Sequence, residues 1–148
     1  HYAYILIDCP PSFGMLTISA LSAADNILIP VQAQYLPAKG MTKLLNTIGK
    51  VKHQINPKVD ILGVAITLAN MQTNLGKSTV DTIRENYGKH IKVFNSIIPI
   101  GVKAAEASVS GKSVYQHAKD SNVAKAYEDL TKEIRKIERS KHKGTPER

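Results

Sequence analysis

Asp8 ends the apolar run Tyr2-Ala3-Tyr4-Ile5-Leu6-Ile7 and is followed at once by Cys9, Pro10, Pro11 and Ser12. The run is continuous rather than alternating, which predicts a strand covered on both faces, as in a parallel sheet. Two prolines have fixed φ and no amide hydrogen, so a central ladder must stop at about Asp8. The carboxylate is then expected at the carboxyl end of a buried strand, the rim where α/β proteins gather ligands. A buried carboxylate costs free energy unless it is paired, hydrogen-bonded or close to a metal. Two uses fit that position. Asp8 holds Mg²⁺ beside a nucleotide phosphate, or it ends the strand and caps the next turn.

Two other stretches have the residue types of a phosphate cradle. Gly76-Lys77-Ser78-Thr79 matches the end of GxxxxGK[ST], but the required first glycine falls on Met71. Gly111-Lys112-Ser113 fails the same test, because Glu106 stands at the first glycine. Without that glycine the loop is not expected to curl its amides around a phosphate. His53, His90, His117 and His142 lack metal-ligand spacing, so no metal is assigned to them. The single Cys9 excludes an internal disulfide and fits a reducing, cytoplasmic setting.

The elements that must position these residues alternate. After the first strand, a helix is expected over Leu16–Ala24 with Leu16, Ser19, Ala20 and Ala23 inward. A second buried strand covers Ile27–Val31, and a polar loop with Gln34 follows. A helix over Ala38–Ile55 has Met41, Leu44, Leu45, Ile48, Val51 and Ile55 at helical spacing. A third strand spans Val59–Leu68, and a helix from Lys77 to Tyr87 is closed by Gly88. Lys92–Ile98 is a fourth strand, halted by Pro99, and Val102–Ala107 a short helix before a Gly/Ser loop at Ser108–Ser113. The last helix runs from Ser121 to Arg139, with Val123, Ala126, Tyr127, Leu130, Ile134 and Ile137 inward. This order predicts an α/β fold with a parallel, doubly wound sheet and flanking helices. Residues 1–139 are expected to form the domain and 140–148 a basic disordered tail.

With 148 residues and 43% hydrophobic composition the chain can bury a core. No apolar run is long enough to span a bilayer. A net charge of +8 points to a polyanionic partner, nucleic acid first. The chain opens inside a core strand that needs neighbours on both sides, which leads to the expectation that an amino-terminal portion is missing.

Tyr4 to Ser12, followed by Leu16-Thr17, resembles the Walker B and switch II segment of ParA-type partition ATPases, of the superfamily that includes Soj and MinD. The resemblance continues through Ile29-Pro30-Val31-Gln32, Thr73-Asn74-Leu75, Ile98-Pro99, Val102-Lys103 and Glu106-Ala107. It ends in Lys125-Ala126-Tyr127 with Leu130 and Glu133-Ile134. It implies a P-loop NTPase-like fold, here truncated at the amino end. The family's Walker A loop and switch I aspartate lie upstream of this segment, so no catalytic residue is expected in it.

The resemblance implies an ATP-dependent switch in which ATP and Mg²⁺ promote a homodimer that binds DNA without sequence preference. A ParB-like partner then stimulates hydrolysis, in the cytoplasm on the nucleoid and without a membrane. By resemblance, Asp8 holds Mg²⁺, Pro10 and Pro11 shape the γ-phosphate-sensing loop, and Thr67, Pro99 and Ile100 flank the adenine. Lys103 matches a basic position tied to DNA contact; a lysine keeps the point charge that a phosphate needs. The chain departs from the family in Ile100-Gly101, where Arg-Asn is frequent, and in Gln34, where Glu is frequent. Two other functions stay open: a basic DNA-binding module without nucleotide chemistry, and a MinD-like positioning ATPase.

Overall fold

A computed structural model describes residues 2–10, 12, 14–33 and 38–142. Pro11 and Gln34 lie outside the described residues. Three strands, β1 (Asn26–Gln32), β2 (Asp60–Ala69) and β3 (Val93–Pro99), form a sheet in the order β1-β2-β3. The helices between and after them are α1 (Met15–Ala23), α2 (Ala38–Gln54), α3 (Asn74–Tyr87), α4 (Val102–Val109), α5 (Val114–His117) and α6 (Asn122–His142). The parallel sheet with flanking helices is the α/β class expected. Two compact units make up the chain: His1–Ile27 with Pro37–Ile61, and Leu28–Leu36 with Leu62–Arg148.

The expected first strand is absent. Residues 2–10 belong to no strand, and Tyr2, Ile5 and Leu6 are 90%, 80% and 94% exposed. An apolar run becomes a strand only when a neighbour takes up its amides and carbonyls. The three strands present bond to one another, and none of them pairs with this run.

In the first unit α1 packs on α2. The buried residues of α1 are Thr17 and Leu21, while Leu16, Ser19 and Ala23 are exposed, so its inward face differs from the expected one. Nearly every residue of α1 is apolar or small, so the sequence pattern selects no face. Polar bonds orient it instead. The Thr17 hydroxyl donates to the Ser12 carbonyl at 2.6 Å, and the Asn56 amide donates to the carbonyls of Leu21 and Ala24 at 3.2 and 2.8 Å. The longer α2 buries Met41, Ile48 and Val51 of the expected stripe, whereas Ile55 lies past its last residue, Gln54, and is exposed.

In the second unit Leu62 and Ala65 of β2 and Phe94 and Ile98 of β3 pack with Val123 and Leu130 of α6. Ala126, Ile134 and Ile137 border this core as expected, whereas Tyr127 is 43% exposed. Leu62 and Ala65 are three apart, so strict alternation slips between them. Gly63, at φ 155°, occupies the slip; a Cβ there would lie 2.7 Å from the Phe94 ring and 2.8 Å from the Lys92 carbonyl.

Strand β3 is irregular. Val64 pairs with Val93 and Ile66 with Ile97, so four steps on β3 face two on β2. The surplus backbone groups find partners outside the ladder. The Glu133 carboxylate of α6 accepts from the Asn95 amide at 3.0 Å, the Ser96 amide at 2.7 Å and the Ser96 hydroxyl. The Arg84 guanidinium of α3 donates to the Asn95 carbonyl at 3.4 Å. These bonds tie helices α3 and α6 to the edge strand.

Helix α3 starts three residues before the expected Lys77, because the Thr73 hydroxyl oxygen accepts from the Gly76 amide at 3.0 Å and caps it. Gly88 does follow its last residue, but at φ −64°, so glycine is not needed there for its backbone freedom. The one-turn α5 was not expected; it is fixed by a capping box between Ser113 and Gln116. Helix α6 continues to His142, three residues past the expected boundary, and residues 143–148 lie outside the described residues.

Candidate functional site

Thr67 lies near the carboxyl end of β2, and Pro99 and Ile100 lie at the carboxyl end of β3, in the second unit. Ala69 is the register partner of Pro99, and the Ile100 amide donates to the Ala69 carbonyl at 3.1 Å. Thr67 lies two residues earlier on β2; its hydroxyl donates to the Val31 carbonyl at 3.4 Å, and its carbonyl accepts from the Ala33 amide at 2.9 Å. The three residues therefore mark the carboxyl ends of adjacent parallel strands, where an α/β sheet opens to ligands. Between them Leu68 has φ 51° and is 39% exposed. A branched residue in the left-handed region is strained, and such strain gathers at working rims of a fold. Nothing in the sequence marks it.

Asp8 and Pro10 belong to the first unit and both are exposed, so Asp8 does not stand at the end of a buried strand as expected, because no strand forms there. The turn after them is held at two points, by the Ser12 amide donating to the Pro10 carbonyl at 2.7 Å and by the Thr17 bond to Ser12. Thus α1 holds Ser12. Among the described residues no three His, Cys, Asp or Glu side chains group as a metal site. One carboxylate still suits Mg²⁺, which keeps several waters and takes its other ligands from phosphates. Asp8 fits that donor chemistry.

Neither glycine-lysine stretch is a phosphate cradle. The Gly76 amide is taken by Thr73, and the buried Thr79 hydroxyl donates to the Leu75 carbonyl inside α3. Gly111 is the left-handed residue that ends α4, at φ 64°. Its amide donates to Ser108 and the Lys112 amide to Ala107, which is the Schellman pattern.

Lys103 is exposed in the first turn of α4, and its ammonium lies 2.8 Å from the Glu106 carboxylate. The same oxygen is 3.1 Å from His117 Nε2 on α5, whose Nδ1 is 3.5 Å from the Ser110 hydroxyl. The Lys103 and His117 hydrogen bonds hold the Glu106 carboxyl below the ordinary carboxylate range. The expected DNA-contacting charge is thus shared with an acid one turn away. Sequence reading placed Lys103 and Glu106 in one block, and their i, i+3 spacing is the signal that pairs them; His117 carried no such signal.

A family model described as an AAA domain matches residues 1–61. The sporulation initiation inhibitor protein Soj of Bacillus subtilis is 40% identical over 134 residues, covering 90% of this chain and 52% of that protein. The chromosome partitioning protein ParA of Caulobacter vibrioides is 34% identical over 140 residues, covering 95% of this chain and 52% of that protein. Among solved structures, cobyrinic acid a,c-diamide synthase from Mycobacterium smegmatis with bound ATP analog and magnesium superposes with a TM-score of 0.65. It is 28% identical, and the match covers 81% of this chain and 42% of that one. The chain spans about half the length of the curated relatives it matches. By these matches the chain is similar, over 90% and 95% of its own length, to Soj and ParA proteins, as a fragment of that type.

Proposed function

We propose that this chain is the carboxyl-terminal part of a partition ATPase, one that uses ATP and Mg²⁺ to form a homodimer on DNA. The observation that supports the reading is the position of Thr67 near the carboxyl end of β2 and of Pro99 and Ile100 at that of the adjacent β3. In the reading these three flank the adenine, Asp8 holds Mg²⁺, and Pro10 and Pro11 shape the loop that senses the γ-phosphate. The Asp8 carboxylate would supply one fixed oxygen to the cation, whose charge steadies the triphosphate during transfer. Support comes from the similar synthase structure, which holds an ATP analog and magnesium, and from a relative named a chromosome partitioning protein. The protein then acts in the cytoplasm on the nucleoid, and a ParB-like partner stimulates hydrolysis. Lys103 contributes to DNA contact.

The test is Asp8→Ala in a longer form of the protein that contains a phosphate loop. Mg²⁺-dependent hydrolysis is expected to fall by about two orders of magnitude, the equivalent of a few kcal/mol of lost charge stabilisation. Unaltered turnover removes Asp8 from the site. A second reading, a DNA-binding module without nucleotide chemistry, is favoured by one observation: the amides of Gly76, Gly111 and Lys112 are all committed to helix caps. Gel-shift titration with and without ATP separates the two, since the module binds DNA with steep salt dependence and no response to nucleotide.

A further inference from the structure

One oxygen of Glu106 serves two helices. Lys103 Nζ of α4 lies 2.8 Å from Oε2, and His117 Nε2 of α5 lies 3.1 Å from the same atom. A carboxylate oxygen only accepts, so Nε2 carries the hydrogen in that bond. The other ring nitrogen, Nδ1, is 3.5 Å from the Ser110 hydroxyl, whose own hydrogen goes to the Ala107 carbonyl at 3.0 Å. Ser110 Oγ therefore offers Nδ1 a lone pair. An imidazole with an accepting oxygen at each nitrogen satisfies both only as imidazolium. Helices α4 and α5 pack on one another, and the Ser113–Gln116 capping box fixes the start of α5. From α6, which also packs on α5, Glu128 accepts from the Tyr115 hydroxyl at 3.4 Å and is held by Lys132 at 3.1 Å. Lys119, just after α5, lies over the Tyr115 ring at 5.7 Å from its centre. A charge arriving at His117 thus acts first on Glu106 and Lys103.

We infer that His117 is a proton-operated positioning residue, whose protonation releases the Lys103 ammonium from Glu106 to a phosphate of the DNA backbone. The inference rests on the reading above that Lys103 contacts DNA, and it adds how that contact is regulated. With a neutral imidazole the charges of Lys103 and Glu106 cancel, and a phosphate must compete with Glu106 for the ammonium. An imidazolium takes the same oxygen with a full charge and repels the neighbouring ammonium. Two positive charges then stand against one negative, and a polyanion is attracted. Histidine is the side chain whose charge changes in this way between about pH 5 and pH 8. The Lys103 side chain is 55% exposed and that of His117 26%, so the phosphate meets the ammonium and the ring acts through Glu106. The coupling is reciprocal: a phosphate seated on Lys103 favours the imidazolium in turn.

The experiment is fluorescence anisotropy with a labelled mixed-sequence duplex at about pH 6 and about pH 8, with a salt series at each. It is run on this chain and on its His117→Gln, Glu106→Gln and Lys103→Gln variants. Acidification is expected to raise the affinity of the unsubstituted chain about fivefold more than that of His117→Gln. Its log–log salt slope at about pH 6 should be steeper than the variant's by about one. The other histidines are present in both proteins, so their protonation drops out of the comparison. Glu106→Gln should bind more tightly at about pH 8 and respond less to pH, and Lys103→Gln should lose the part of the response that depends on His117. Equal pH responses in the unsubstituted chain and a folded His117→Gln, checked by far-UV circular dichroism, overturn the inference and leave the DNA reading standing. If His117→Gln does not fold, Glu106→Gln decides: a response equal to that of the unsubstituted chain overturns the inference. Lys103→Gln with unchanged affinity and response removes Lys103 from the DNA contact and overturns both. A chain that binds no duplex at either pH also overturns both.

Discussion

Asn56 caps α1 from outside the helix, donating to two of its last carbonyls from thirty-odd residues away in sequence. Its removal leaves both without that donor. Asn56→Ala is expected to cost about 1–2 kcal/mol, read as a shift in the denaturant midpoint with no change in slope. Glu133 does comparable work on the irregular stretch of β3. Burial pushes its carboxyl up, but the bonds from Ser96 and Asn95 and the nearby Lys92 charge outweigh that and hold it below the ordinary range. A carboxyl lowered in the folded state stabilises fully above its unfolded pKa, and that contribution is lost as pH falls through the folded value. Glu133→Ala should therefore cost about 1–3 kcal/mol near neutrality and flatten the loss of stability below about pH 5, measured by urea titration at each pH. Neither role was legible in the sequence. Asparagine before proline reads as a helix stop, and a glutamate on a helix reads as solvated; their partners are distant in the chain, where no spacing rule reaches.

Among the elements, those with strong periodicity were legible and those without it were not. The apolar stripe of α2 and the inward residues of α6 follow from a 3.6-residue repeat alone, except that Ile55 falls beyond α2 and is exposed and Tyr127 remains half outside. Helix α1, almost uniformly apolar or small, offered no pattern from which a face could be chosen, and bonds to Ser12 and from Asn56 decide it. Four residues of α5 are too few for a period to register. The slip at Gly63 is likewise invisible, because a glycine in a strand marks a bulge or a close approach without saying which. Here it is both, and Gly63→Ala would press a methyl group onto the Phe94 ring and the Lys92 carbonyl. We expect about 2–3 kcal/mol of destabilisation by thermal or urea unfolding, more than an open glycine-to-alanine change in a loop produces. At the candidate site, the resemblance named Thr67, Pro99 and Ile100, while nothing in the sequence marked the left-handed Leu68 that follows Thr67.

For the molecule as a whole, both lysine-containing glycine stretches are spent on capping helices. The purified chain is accordingly expected to give no Mg²⁺-dependent ATP turnover; turnover abolished by Asp8→Ala would contradict this. One further consequence follows from the uncovered stretch at its start. Tyr2-Ala3-Tyr4-Ile5-Leu6-Ile7 is apolar, uncharged, free of proline and rich in residues that favour extended backbone, and it lies exposed. Six such residues in a row are the composition from which cross-β stacks grow. In concentrated solution these ends should find one another, copy on copy, so thioflavin-positive precipitate would mark the handling limit of this chain, and a lysine in place of Leu6 would raise it.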